Sequence, residues 1–510
     1  MASFQCVLVG NKNHLPRLFL TKKTMDMKLN LLFVFLIATQ CLTAQSFSEK
    51  LQSPSFLGVR SGAIAFADVD GDGDNDVLIT GRDSLNSSNS KLYLNDGIGN
   101  YSEVIGTPFD GVGFSSIAFS DVDGDRDQDV FIIGEGLEAR VARLYTNDGT
   151  GNFTEVSNTP FEGVIYGSIA CTDIDGDGDQ DMLMMGVNNS NKIIGKLFLN
   201  DGQGNFTKST GASFDNAVSG SIDFADVDGD GDQDVLITGQ NAANQRIAKL
   251  YKNNGMGNFT EVIGTPFDGV WQSSIAFSDV DGDGDQDVLI TGSNNNFQRI
   301  AKLYTNDGLG NFSELIGTPF NIVFTSSVEF ADVDGDGDQD VLITGQYRTA
   351  QPISKLYTND GTGNFTEMAN TPFERVSDSS IAFADVDGDG DQDVLVSGAN
   401  ADFQPISKLY INNGPLSSTN EPSFKLNVDL LLYPNPVNSN HLQVNFESNK
   451  SGDVQVKIFD LLGSSISQQK AWVGTGPQSI SVDISNLSSG SYILQLDGGK
   501  SIGVAKFIVP

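Results

Sequence analysis

Aspartate carries the chemistry of this chain. Asp68, Asp70, Asp72, Asp74 and Asp76 occupy alternate positions of a nine-residue stretch, with Gly71 and Gly73 where the backbone must turn. Five like charges this close repel one another unless something offsets them. A plain strand is therefore a poor expectation, and a loop curled around a hard cation is a good one. Calcium accepts about six to eight oxygens in flexible geometry, whereas magnesium demands a tighter octahedron and keeps its waters. Calcium is the expected ion.

The stretch returns six times. The second copy is Asp121, Asp123, Asp125, Asp127 and Asp129, and the third is Asp173, Asp175, Asp177, Asp179 and Asp181. The fourth is Asp226, Asp228, Asp230, Asp232 and Asp234; the fifth is Asp279, Asp281, Asp283, Asp285 and Asp287. The sixth is Asp332, Asp334, Asp336, Asp338 and Asp340, and the seventh is Asp385, Asp387, Asp389, Asp391 and Asp393. Their starts lie 52 or 53 residues apart, a period that marks a repeat architecture. One ion per loop makes about seven Ca2+. An EF-hand is excluded, because its twelfth position needs a bidentate Glu and here reads Ile79, Ile132, Met184, Ile237, Ile290, Ile343 and Val396. The Gly-Gly-x-Gly-x-Asp nonapeptide of calcium-binding β-helices is absent.

The elements that must position these loops read as strands. Ile64–Ala67 precedes the first loop and Val77–Thr80 follows it. Lys91-Leu-Tyr-Leu begins a third strand, Asn95-Asp-Gly-Ile-Gly is a turn tolerant of positive φ, and Asn100-Tyr-Ser-Glu-Val opens a fourth. Four short strands repeated radially describe an all-β fold, a seven-bladed β-propeller. Its expected span is 45–414. The last unit ends at Lys408-Leu-Tyr-Ile-Asn-Asn-Gly without a fourth strand, and Ser46-Phe-Ser-Glu near the other end supplies one. Pro54 follows Phe47 at the distance by which Pro160 follows Phe153. The N-terminal strand is thus expected to complete the seventh blade and leave no open edge.

Composition fits this picture. Lys and Arg number 30 against 66 Asp and Glu, a formal charge of −36, and the loops hold 35 of those acids. Nucleic acid is an unsuitable partner, since phosphates require a basic footprint. The cysteines are Cys6, Cys41 and Cys171; the last takes the place of Phe66 and Phe119 and reads as a small buried hydrophobe. Lys28 followed by an apolar run, with Leu42-Thr43-Ala44 as a cleavage site, reads as a secretory signal within 1–44, starting at Met25 or Met27. No transmembrane segment is expected in the mature chain.

The repeats resemble the FG-GAP/VCBS units of integrin α-like propellers, whose loop reads Asp-x-Asp-x-Asp-Gly-x-x-Asp. The resemblance covers about 46–414. It implies that side chains at positions one, three, five and nine and the carbonyl at position seven hold the ion. The second loop departs from it: Arg126 stands where the others have Gly, a costly choice if φ there is positive. A polar linker is expected over 415–427, followed by a small Ig-like β-sandwich over 428–510. Tyr433-Pro-Asn-Pro, Ile458-Phe-Asp-Leu-Leu-Gly and Lys506-Phe-Ile-Val resemble the C-terminal sorting domain of type IX secretion cargo. That resemblance implies export by this machinery, as a secreted or outer-membrane surface-attached protein.

Catalytic chemistry is scarce. The only histidines are His14 and His441, so a triad or His-bound zinc site on the propeller is excluded. A binding face can be placed instead. The acidic loops and Gly-x-Gly turns share one face and barely vary, while the opposite face carries connections that do. Arg60, Phe114, Tyr166, Trp271, Phe324 and Asp378 stand at its variable corners and are the candidate ligand-binding residues. The expected function is adhesion to a glycan or surface protein. A polysaccharide lyase on a calcium-loop propeller and a passive surface protein are the alternatives.

Overall fold

The computed structural model describes residues 45–509, apart from 54, 349–350, 416–425, 434, 436, 438–440, 449–451, 460–464, 475, 486, 489 and 498–501. The expectations for 1–44, including the signal, Met25, Met27, Cys6 and Cys41, lie outside the described residues, as does Pro54.

All regular structure among the described residues is β. The first repeat folds as an antiparallel meander of Ile64–Ala67, Asp76–Arg82, Ser88–Asn95 and Tyr101–Glu103. Four-stranded sheets of this kind recur in tandem. In the fourth repeat the first strand is broken into Ala217–Val218 and Ile222–Ala225, both on Asp234–Asn241, and one bridge, Ile247 to Val270, links it to the fifth. In the seventh, Gln45–Lys50 pairs antiparallel with Pro405–Pro415, so the N-terminal strand does complete the last sheet.

The second strand of each sheet is buried on both faces, as in Val77, Leu78 and Ile79. A continuous apolar run suits that place, because neighbouring sheets cover it from either side. Val69, Leu78 and Leu92 of the first sheet share a core with Val130, Ile132 and Tyr145 of the second. Ile64, Val77 and Ile79 share another with Ala382, Val386 and Leu395 of the seventh. First and last sheets therefore pack on each other. At each corner a Phe packs edge-on against the third strand's ring, as Phe109 does on Tyr145 at 5.0 Å. The Tyr145 hydroxyl accepts the Asp110 amide at 3.1 Å.

The C-terminal strands form two sheets, of three and four strands. Leu442 and Val444 from one share a core with Val456, Leu494, Leu496 and Phe507 from the other. The segment read as a linker is shorter than 415–427. Pro415 lies in strand, and Leu426 and Asn427 already pair with Ser448 and Glu447.

Candidate functional site

Each acidic loop is folded by its own carboxylates. In the first, Asp68 accepts the amides of Gly71 at 2.8 Å and Gly73 at 3.0 Å, and Asp72 accepts that of Asp74. Gly71 and Gly73 have φ of 75° and 90°, which only glycine adopts cheaply. Arg126 holds φ 79° and donates the same amide bond to Asp121, so the second loop keeps the shape with a strained residue in it.

Asp76, the ninth position, is fully buried. One of its oxygens accepts the Val69 amide at 3.0 Å and the other the Asn95 amide at 2.8 Å. Asn95 in turn donates its side chain to the Val386 carbonyl in the seventh loop, and Asn147 donates to Val69 in the first. The same bond is made by Asn200, Asn253, Asn306, Asn359 and Asn412. Each loop is thereby fastened to the one before it. Asp74 turns instead toward the Gly-x-Gly turn, where a Cβ on Gly97 would lie 2.4 Å from its carboxylate.

The third position differs from the rest. One carboxylate oxygen of Asp70, Asp123, Asp175, Asp228, Asp281 and Asp334 is buried with no hydrogen-bond partner. Buried acceptors are ordinarily satisfied, so a recurrent exception calls for an explanation. Oxygens of Asp68, Asp70 and Asp76 lie within 4.8 Å of one another, as do those of the same positions in the second, third and fifth loops, while in the fourth the group is Asp226, Asp228 and Asp230. Burial pushes the Asp76 carboxyl up to about 7 and that of Asp393 to about 8, with neighbouring aspartates adding to it. Burial also raises Asp70, and the charge of Asp72 raises it further. In the fourth loop Lys252 pairs with the second oxygen of Asp228 at 2.8 Å, a cation that the sequence reading missed.

The six corner residues on the opposite face fall into two sets. Phe114, Tyr166 and Asp378 occupy a position that has φ near 50° in every repeat, where the other repeats have Ser61, Ser219, Gln272 and Thr325. Main-chain bonds run between these equivalents: Phe114 to Ser61, Ser219 to Tyr166, and Ser61 to Asp378. The Phe114 and Tyr166 rings lie 4.5 Å apart, and Arg82 sits over Phe114. Burial raises the Asp378 carboxyl, an effect the Arg60 charge partly offsets.

Arg60, Trp271 and Phe324 stand one residue earlier. Trp271 and Phe324 line one cleft of about 700 Å³ together with Arg246, Phe297 and Arg299. The last three were not singled out from sequence, although Phe297 takes a place held by Asn86, Asn191 and Asn244 in other repeats. Arg246 lies 4.2 Å from the Phe297 ring and 5.2 Å from Trp271, and Arg299 lies 4.6 Å from Phe324. Desolvation lowers the pKa of the Arg246 guanidinium.

Two acids also sit on first strands at places where Ala65 and Ala118 stand in other repeats. Asp223 accepts the Phe277 amide and Glu329 the Phe383 amide, each from the following sheet. Burial pushes them up to about 6 and about 8. Cys171 is a free thiol pushed up to about 12 by burial, in keeping with a small apolar role.

The description FG-GAP-like repeat matches residues 68–132, 121–184, 173–237, 226–290, 279–343 and 343–396, more than half of the chain. The chain belongs to the FG-GAP-like repeat proteins. Residues 431–510 match a secretion system C-terminal sorting domain. That domain implies the type IX machinery and points to secretion and surface attachment. No helix among the described residues is long and apolar enough to cross a membrane.

Among curated proteins no relative matches this sequence. Solved structures with some likeness include AofleA from Arthrobotrys oligospora, at 11% identity over 64% of this chain and 91% of that one, TM-score 0.36. XC5397 from Xanthomonas campestris, described as a gluconolactonase, has 10% identity over 70% and 97%, TM-score 0.31. Fructan 1-exohydrolase IIa from Cichorium intybus has 11% identity over 67% and 89%, TM-score 0.28. Likeness this distant carries no information about activity or ligand.

Proposed function

We propose that this chain is an exported binding module, a closed seven-bladed ring whose acidic loops each hold one calcium ion and whose opposite face seats a glycan or a surface protein. The unpartnered oxygens at the third loop position support the metal: a hard divalent ion accepts oxygens that no protein donor reaches. Bound calcium would supply positive charge to four converging carboxylates and no more. Asp68, Asp70, Asp72 and Asp76 direct oxygens to it, while Asn95 and Val69 hold Asp76 in place. Affinity on the order of 0.1–1 mM suits an extracellular module.

The corner residues carry the ligand reading. One backbone conformation, with φ between 46° and 53°, is kept in seven repeats while its side chain runs through Ser, Phe, Tyr, Gln, Thr and Asp. A left-handed conformation is uncommon for residues other than glycine and costly for bulky rings such as those of Phe114 and Tyr166. Recognition is a sufficient reason to vary side chains on a fixed frame. Binding is preferred over catalysis because His441, the only histidine among the described residues, lies on the sandwich.

A glycan and protein array probed with the full-length protein tests this reading. Trp271→Ala with Phe324→Ala is expected to abolish the signal without lowering the melting temperature. Full retention of binding in that variant would move the site elsewhere.

A further inference from the structure

The cleft between the fourth, fifth and sixth sheets has a chemistry of its own. The chain bears a formal charge of −36, yet two guanidinium groups meet at this one cavity. Among the described residues neither Arg246 nor Arg299 is within ion-pair distance of a carboxylate. Arg246 donates to the Ser293 hydroxyl and the Asn294 carbonyl, and Arg299 to the Tyr347 carbonyl at 2.6 Å. These neutral acceptors fix the direction of each fork and leave its charge standing. Arg82, which ends the second strand of the first repeat and lies over Phe114, is by contrast ion-paired with Glu135.

The apolar part of the cleft is equally specific. Phe297 is 80% exposed and holds φ 60°, in a hairpin position where the first, third and fourth repeats place an Asn that tolerates it and the seventh places Phe403. Backbone strain accepted in order to expose a ring points to a use for the ring. Ile322 beside it is 45% exposed. The indole Nε1 of Trp271 is a buried donor with no hydrogen-bond partner. Gln272, Gln298 and the buried Ser293 add neutral donors and acceptors to the lining.

We propose that this cleft binds an anionic saccharide, its carboxylate or sulfate held by Arg246 and Arg299 and its apolar ring face laid on Phe297. The proposal rests on the binding reading above and narrows its ligand to one class. A planar guanidinium grips a carboxylate or sulfate through paired donors. Amides and an indole N–H suit hydroxyls. A peptide carboxylate would use the arginines but not a broad exposed ring flanked by amides. A polyanion approaching a chain of this net charge is repelled overall, so measured binding must come from a local site.

The test titrates the full-length protein, at one fixed calcium concentration, with polygalacturonate, dextran sulfate, dextran and polyglutamate. Binding is expected with one or both anionic polysaccharides, at least about tenfold tighter than with dextran, as expected for charge-assisted bonds, and tighter than with polyglutamate, which has no sugar ring to lay on Phe297. The carboxylate and sulfate arms identify which anion is preferred. Arg299→Gln, which keeps a side-chain donor near the Tyr347 carbonyl, should weaken that binding about tenfold at an unchanged melting temperature, and Phe297→Ala several-fold. Binding of dextran or polyglutamate as tight as that of the anionic polysaccharides would overturn the proposal. So would undiminished binding in Arg299→Gln, or no binding to either anionic polysaccharide. If the array finds another ligand that Trp271→Ala with Phe324→Ala abolishes, only this proposal falls; an array with no ligand removes the binding reading as well.

Discussion

The amide of Ser61 donates to the carbonyl of Asp378 at 2.9 Å, and through that bond the first repeat meets the last. Phe114 makes the same bond to Ser61, so the junction between the ends is built like any other. On the opposite face Asn95 reaches the Val386 carbonyl at 2.8 Å, as Asn147 reaches Val69. The pairing of Gln45–Lys50 with Pro405–Pro415 then leaves the last sheet with its full set of four strands. An incomplete sheet would expose backbone donors and acceptors to other chains.

Closure makes Phe47 a core residue although it lies near the start of the described chain. Its ring is buried and lies 5.1 Å from Phe373, as Phe153 lies 5.0 Å from Phe109. Phe47→Ala is expected to destabilise the protein by about 3 kcal/mol, the usual range for an emptied aromatic site. Urea melts of the two forms measure it. A change no larger than that of exposed Ser48→Ala would mean the strand is not integral to the ring.

Chelation is expected to lower the melting temperature by many degrees, with calcium restoring it and magnesium restoring less. Each site filled to a hundredfold excess over its dissociation constant stabilises by about 2.7 kcal/mol. Lys252 already supplies a charge to Asp228, so Lys252→Thr should raise the calcium bound per chain as measured by elemental analysis. A melt indifferent to EDTA would sink the metal assignment.

Arg126 carries φ 79° where Gly73 and its equivalents stand, and those glycines have open space around them. Its cost is therefore backbone strain and not crowding. Arg126→Gly should stabilise the protein by about 1 kcal/mol, the scale of the left-handed penalty. Calorimetry with calcium saturating reads the difference; a destabilised variant would show that the Arg126 side chain makes a compensating contact.

Much of this was legible because the period is so regular. Alternating Asp with interposed Gly fixes the loops, and apolar runs such as Val77-Leu-Ile fix the strand that needs cover on both sides. The missing fourth strand after Lys408 and the matching Phe47 gave the closure. Arg246, Phe297 and Arg299 were not legible, because they converge only when hairpins of neighbouring sheets come together. Nor does a sequence show that Asp70 keeps an oxygen unpartnered while Asp76 has both satisfied. That distinction lies in the register between loop and turn.

Glu329 gives the fold a dependence on pH separate from the loops. It stands on a first strand where most repeats have Ala, and burial lifts its carboxyl from an ordinary 4.5 to about 8. The native state then keeps a proton that the unfolded chain releases above pH 4.5. The stability this contributes is full below that value and is lost as pH rises through about 8. Glu329→Gln cannot ionise and should follow the wild type near pH 4.5 but exceed it by about 1–3 kcal/mol at pH 9. Saturating calcium throughout holds the loop carboxylates ionised, so the difference between the two urea profiles isolates this one group. Parallel profiles across that range would show that the Glu329 carboxyl reaches water. The bond it accepts from the Phe383 amide would then be all that it contributes to the junction between its sheet and the next.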